Sequence, residues 1–149
     1  MYRKEAKAYA KAIKQQRTHV ISENKHKHSK FWDYPACISI CYGLVKKGFA
    51  KGYSHRPEGT RWFSTLERRM QSLGAIGYPT KYDDNVLGNC AEQHSANNYM
   101  HQYHEPRLSN LHFSSTIRPR TGQIIDACGN CEQIFPNEVV STFVNCEIF

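Results

Sequence analysis

Two periods of apolar residues run through this chain, and the switches between them mark its elements. Ala36-Cys37-Ile38-Ser39-Ile40-Cys41-Tyr42 is a short, nearly unbroken apolar run between Pro35 and Gly43, the pattern of a buried strand. Gly43 to Gly48 supplies a turn, and Phe49 to Tyr53 reads as the antiparallel partner. From Thr60 to Leu73 the period changes: Trp62, Phe63, Leu66, Met70 and Leu73 recur at helical spacing, which predicts a helix closed by Gly74. Gly77 to Pro79 and Asp83 to Asn85 have loop composition. Cys90 to about Gln102 runs as a helix with Asn89 at its N-cap. Leu111 to Ile117 alternates apolar with polar as a half-buried strand, Asn130 to Phe135 fits a short helix, and the β-branched stretch Val139 to Val144 reads as the last strand.

Ahead of these elements, Met1 to Gln16 carries Ala6, Ala8, Ala10 and Ala12 with Tyr2, Tyr9 and Ile13, a narrow apolar stripe on a segment of good helix propensity. Arg17 to Lys30 holds His19, His26 and His28 among Lys and Ser without periodicity and reads as a loop. The resulting order of helices and strands predicts a sheet sandwiched by helices. A chain of 149 residues accommodates one such domain and not two. Residues 1–30 are expected to form a basic helical leader and residues 31–149 the domain.

Composition narrows the class. With 40 % hydrophobic and 22 % charged residues, the chain has enough apolar material for a core, yet no run long enough to span a bilayer. Met1 to Gln16 lacks the apolar block of a signal peptide, so a conventional secreted precursor is not expected. The formal charge of +7 favours an anionic partner, nucleic acid first, with a solvated basic face as the plain alternative.

The six cysteines sharpen the picture further. Cys37 and Cys41 share parity within a strand, Cys146 lies near the end, and Cys90, Cys128 and Cys131 alone have metal-type spacing. In Cys128-Gly129-Asn130-Cys131 the thiols are three apart, so a first helical turn puts both on one face with Cβ atoms about 5 to 6 Å apart. Sulfurs that share one tetrahedral zinc at about 2.3 Å need to lie just under roughly 4 Å from each other, which such a turn allows. Asn89-Cys90-Ala91-Glu92 supplies a third thiolate and a carboxylate at another helix start, where the positive helix end stabilises thiolates. Three sulfurs leave the fourth tetrahedral position open, as in catalytic rather than structural zinc sites. Glu92 follows a ligand by two residues and falls beside that position, suited to proton transfer.

These two motifs, Gly88-Asn89-Cys90-Ala91-Glu92 and Cys128-Gly129-Asn130-Cys131, resemble the signature of the zinc-dependent nucleobase deaminases. Within that cytidine deaminase-like superfamily they look most like the YwqJ-like deaminase domains of bacterial polymorphic toxins. The resemblance covers roughly Pro35 to Val144, and only the two metal motifs are specific. One residue departs from it: Ala127 stands where superfamily members usually have proline before the first cysteine of the pair.

The resemblance implies a three-layer α/β/α sandwich with a mixed sheet of four to five strands. It also implies Zn2+ held by Cys90, Cys128 and Cys131, with Glu92 moving the proton during hydrolytic deamination of cytosine to uracil, or of adenine to hypoxanthine. The partner would be single-stranded DNA, double-stranded DNA or RNA, drawn by basic residues from Lys4 to Lys30 and around Arg61, Arg68 and Arg69. Substrate contacts would fall on Tyr53, His55, Arg56, Trp62 and His94. The activity would belong in a cytoplasm, reached as part of a larger secreted toxin, with an immunity protein in the producing cell and no membrane association. Two other readings stay open on the sequence: deamination of a free nucleoside or nucleotide, and a non-catalytic zinc-binding interaction domain whose shell Cys146 or Cys37 closes.

Overall fold

A computed structural model describes residues 36–43, 45–113, 116–118, 124–125 and 127–135. The helix expected over 1–16, the histidine-rich segment up to Lys30 and the strand expected over 139–144 lie outside these residues. Cys146 lies outside them as well.

The first apolar run forms β1 (Ile38–Gly43), every residue of it buried. It pairs antiparallel with β2 (Gly48–Tyr53), in register from Ile38 opposite Tyr53 to Gly43 opposite Gly48. On its other edge β1 takes two short strands, β5 (His112–Phe113) and β6 (Thr116–Ile117), both antiparallel. β6 in turn pairs with β7 (Ile124–Ile125). The five-stranded sheet therefore runs β2-β1-β6-β7 with β5 also against β1, and all its pairings are antiparallel among the described residues. A mixed sheet would need a parallel neighbour, and the segment expected to supply the last strand is not among them.

Among the described residues three α-helices accompany the sheet: α1 (Ser64–Gln71), α2 (Ala91–Tyr103) and α3 (Gly129–Ile134). The chain is thus a mixed α/β fold with a small antiparallel sheet. α2 lies on β1 and β2, and α1 contacts α3. Leu66 and Met70 of α1, Ala96, Tyr99 and Met100 of α2, and Ile134 of α3 join Leu87, Leu111, Phe113 and Phe135 in one buried cluster. No helix among the described residues is long and apolar enough to cross a membrane.

The closest approach of helix to sheet depends on Gly52. A Cβ there would lie 2.1 Å from the Ser95 nitrogen and 2.5 Å from its Cα, so only a hydrogen lets α2 settle on β2. That contact fixes the height of α2 above the sheet and, with it, the side chains of its first turn.

The single strand expected over Leu111–Ile117 is divided into β5 and β6, and other elements also differ from the sequence pattern. α1 starts at Ser64 rather than Thr60, because Phe63 is extended and its N–H is taken by Asn97 Oδ1 at 2.7 Å. It stops at Gln71 with Ser72 as a right-handed C-cap, so Gly74 does not close it. The N-cap of α2 is Cys90, not Asn89. The presumed loop after Gly77 contains a second small sheet, in which β3 (Pro79–Thr80) pairs antiparallel with β4 (Asp83–Val86). Its tight Lys81-Tyr82 turn and polar strands carry no apolar alternation to reveal it.

Candidate metal centre

The first half of the site is built by the turn that carries β4 into α2. Leu87 is buried and anchors this turn, and Gly88 holds a positive φ of 99° that a side chain would resist. Its N–H donates to Gln93 Oε1 at 2.7 Å, tying the turn to the helix it leads into. Cys90 is then the N-cap of α2 and Glu92 lies in its first turn. The second half is the start of α3, where Cys128 is the N-cap and Cys131 lies one turn further on, fully buried.

The two halves meet. Cys90 Sγ lies 3.0 Å from Cys128 Sγ, and Cys128 Sγ lies 3.5 Å from Cys131 Sγ. All three sulfurs fall within 4.8 Å of one another, and none is in a disulfide. Thiolates sharing a tetrahedral ion at about 2.3 Å would be separated by just under roughly 4 Å, so the cluster fits a metal once the sulfur separations change by up to about 1 Å. The donor set is all sulfur, which suits zinc or another thiophilic ion and not magnesium or calcium.

Within the cluster Cys128 is the favoured thiolate. Its pKa falls to about 3 because Cys131 and Cys90 hydrogen-bond to it, and the backbone N–H groups of Cys131 and Asn130 add to the effect. The hydrogen bond to Cys128 in turn raises Cys90 and Cys131. A cation is the natural means of ionising all three together.

Glu92 is 5 % exposed, and its carboxyl is pushed up mainly by burial. Thr116 Oγ1, arriving from β6, donates to Glu92 Oε1. Oε2 faces the cluster, 3.8 Å from Cys131 Sγ. A strand residue thus holds one carboxyl oxygen, and the other is left toward the sulfurs.

A cavity of about 400 Å³ opens onto this arrangement. Cys90, Cys128, Glu92 and Thr116 line it on one side, and Ser54, His55, Arg56, Asn85 and Asn89 bring polar groups from two other segments. The Ser54 to Arg56 wall is pinned by several bonds. Ser54 N–H donates to Cys37 O at 3.0 Å, Ser54 Oγ accepts from Cys37 N–H at 2.9 Å, and His55 N–H donates to Asn89 O at 3.1 Å.

The residues expected to touch substrate separate into two groups. His55 and Arg56 are exposed and line the cavity. His94 and Trp62 lie behind them: the His94 ring stacks on His55 with centroids 3.6 Å apart and is bonded to His55 O at 3.0 Å, while Trp62 packs against His94 at 5.2 Å. Both are buried, and burial, followed by the neighbouring His55, lowers His94 to about 4. Tyr53 is half-buried opposite Ile38 and is absent from the cavity wall.

Two residues that spacing did not single out act directly on the cluster. Gln93 is fully buried, and its Nε2 donates to Cys131 Sγ at 3.4 Å while Oε1 holds the Gly88 turn. It joins the two halves through one side chain. Thr116 fixes Glu92, and its place in an alternating strand gave no sign of that partner.

No protein-family model, curated protein or solved structure matches this chain.

Proposed function

We propose that this chain is a zinc-dependent hydrolytic deaminase acting on a nucleobase in nucleic acid, converting cytosine to uracil, in a cytidine deaminase-like fold and as the toxic domain of a larger bacterial protein. One observation carries the reading: a buried carboxylate, Glu92, stands beside three converging thiols at the wall of a cavity of about 400 Å³. A structural zinc site has no need of such a group or such a space.

Cys90, Cys128 and Cys131 would hold the ion. Zinc held there would supply Lewis acidity and make the attacking water easier to deprotonate. Glu92, steadied at Oε1 by Thr116, would use Oε2 to take one proton from the attacking water and give it to the ring nitrogen, then carry the second proton, from the new hydroxyl, to the departing amine. The new bond joins the water oxygen to the amino-bearing carbon, the exocyclic carbon–nitrogen bond breaks, and the nitrogen leaves as ammonia. The pinned wall of Ser54, His55 and Arg56 orients the base, with His94 and Trp62 as its backing. The net charge of +7 supports a polyanionic substrate.

A closed structural zinc site is the second reading, favoured by Cys37 on the same cavity wall. It is Cys90, Cys128 and Cys131, however, whose sulfurs converge within 4.8 Å. The test is nucleoside mass spectrometry of single-stranded DNA, double-stranded DNA and RNA incubated with zinc-loaded protein, beside Glu92→Ala with metal content checked in both. Deoxyuridine, uridine or inosine formed by the intact protein alone supports deamination and names base and polymer. One equivalent of bound zinc without product on any polymer, nucleotide or nucleoside favours the closed site.

A further inference from the structure

Each half of the metal centre starts a helix with a cysteine at the N-cap. The first N–H groups of a helix have no acceptor within it, and a side chain at the N-cap normally satisfies one of them, worth typically about 1 kcal/mol. The Cys128 sulfur, turned toward Cys90 and Cys131, draws on the Asn130 and Cys131 N–H groups, and the Gly129 N–H is not among them. The bond comes from elsewhere: Asp83, in the β3–β4 hairpin, accepts the Gly129 N–H at Oδ2, 2.7 Å away. Its other oxygen, Oδ1, accepts the Asn85 N–H at 2.8 Å, so the carboxylate is fixed by its own hairpin while it holds α3.

The hairpin grips α3 at three further points. Asn130 is fully buried, and its Nδ2 donates to Asn85 O at 2.9 Å. Thr80 Oγ1 bonds to Asn130 Oδ1. Gly129 sits so close that a Cβ there would be 2.3 Å from Tyr82 O. The same hairpin runs on through Leu87 and Gly88 into Cys90, so one continuous segment carries the first ligand and clamps the turn bearing the other two.

We propose that Asp83 is a positioning residue of the metal centre, taking the Gly129 N–H that the Cys128 sulfur does not and holding the Cys128–Cys131 turn against Cys90. This rests on the reading of the three cysteines as a metal site. A carboxylate that only stabilised the fold would lower the stability of the chain with and without metal alike, leaving metal affinity unchanged. A positioning carboxylate affects affinity itself, because its loss lets the two halves drift and binding must then bring them together.

The test compares the wild-type chain with Asp83→Ala, Asp83→Asn and Asp84→Ala. Co2+ is titrated with its thiolate charge-transfer absorption as the signal, and Zn2+ affinity is measured against a chromophoric chelator. Urea unfolding with excess chelator establishes that each variant is folded. Asp83→Ala is expected to weaken both metals 10- to 100-fold, the range for outer-shell partners of ligands. Asp83→Asn, with one carbonyl oxygen for two N–H groups, recovers part of the loss. Asp84→Ala, an exposed neighbour, stays within twofold of wild type. Affinity within twofold of wild type in folded Asp83→Ala overturns the proposal. Should that variant fail to fold, wild-type affinity in Asp83→Asn does the same. Wild-type protein that takes up neither metal removes the metal centre itself, an outcome distinct from a failure confined to the Asp83 variants.

Discussion

Replacing Gly52 with alanine tests whether the sheet sets the geometry of the site. The added methyl would lie 2.1 Å from Ser95 N, 2.5 Å from Ser95 Cα and 2.7 Å from the His94 carbonyl carbon. All three are backbone atoms of α2, so no rotamer change relieves the clash. Ordinary contact begins at 3.4 Å, and the helix must withdraw by about 1.3 Å to reach it. Ala96, Tyr99 and Met100 would then leave their places in the core. Overpacking of this kind costs about 3 kcal/mol, and the lost freedom of glycine in the unfolded chain returns roughly 0.4 to 1 kcal/mol. The net loss of roughly 2 to 3 kcal/mol corresponds to a fall in Tm on the order of 10 °C for a domain of this size. Because Cys90 and Glu92 sit at the start of the same helix, metal affinity should fall with it. Gly74→Ala is the matched control: its Cβ meets the Thr80 methyl at 3.3 Å, the end of a side chain, and should shift stability by no more than about 0.5 kcal/mol. Urea unfolding with excess chelator gives the stability term, and Co2+ titration gives the site term. Gly52→Ala with stability within about 0.5 kcal/mol of wild type and unchanged Co2+ affinity refutes the reasoning.

Other perturbations separate the roles within the site. Cys131→Ser should abolish stoichiometric zinc, read by metal analysis after gel filtration, whereas Glu92→Gln should retain it, because the carboxylate is not among the converging donors. Thr116→Val leaves the three sulfurs intact but frees Glu92 Oε1, so turnover should drop about tenfold, the equivalent of one hydrogen bond, at unchanged metal content. His94, lowered to about 4 by burial and then by His55, stays neutral in the folded chain at pH values where the unfolded chain already binds its proton. Its contribution to stability is therefore full above the ordinary value of 6.5, is lost as pH falls, and stops changing near 4. Urea midpoints measured from pH 7 to 4 should decline less steeply in His94→Gln than in wild type, and parallel slopes would exclude this role.

Legibility in the sequence followed how locally each feature is determined. The β1–β2 hairpin was readable because an apolar run, a glycine-bounded turn and a second run lie within one short stretch. The body of α1 was equally plain from Leu66 and Met70, yet its start was not, since Asn97, 34 residues away, takes the Phe63 N–H and keeps the chain extended. The β3–β4 hairpin was invisible for a related reason. Its strands of two and four residues bury little, and what they do is mostly polar: they hold the start of α3.

The same distinction runs through the site. Cys128 and Cys131 share a helical turn and Cys90 and Glu92 share another, so intervals of two and three residues were enough to nominate all four. What brings the pairs together is carried by groups with no such interval. Gln93 reaches Cys131 across 38 residues, Asp83 reaches Gly129 across 46, and Thr116 reaches Glu92 across 24. His94 illustrates the converse: its place on the Glu92 helix suggested substrate contact, but helical geometry turns it under His55, away from the cavity wall. A ligand can be recognised from its neighbours in sequence because the metal demands a donor type and a short spacing. An outer partner needs only to donate or accept one hydrogen bond, which many residue types at many positions can do, so the fold alone selects it. Substitutions at Gln93, Asp83 and Thr116 should accordingly perturb metal affinity or turnover by one or two orders of magnitude, whereas loss of a sulfur removes the ion.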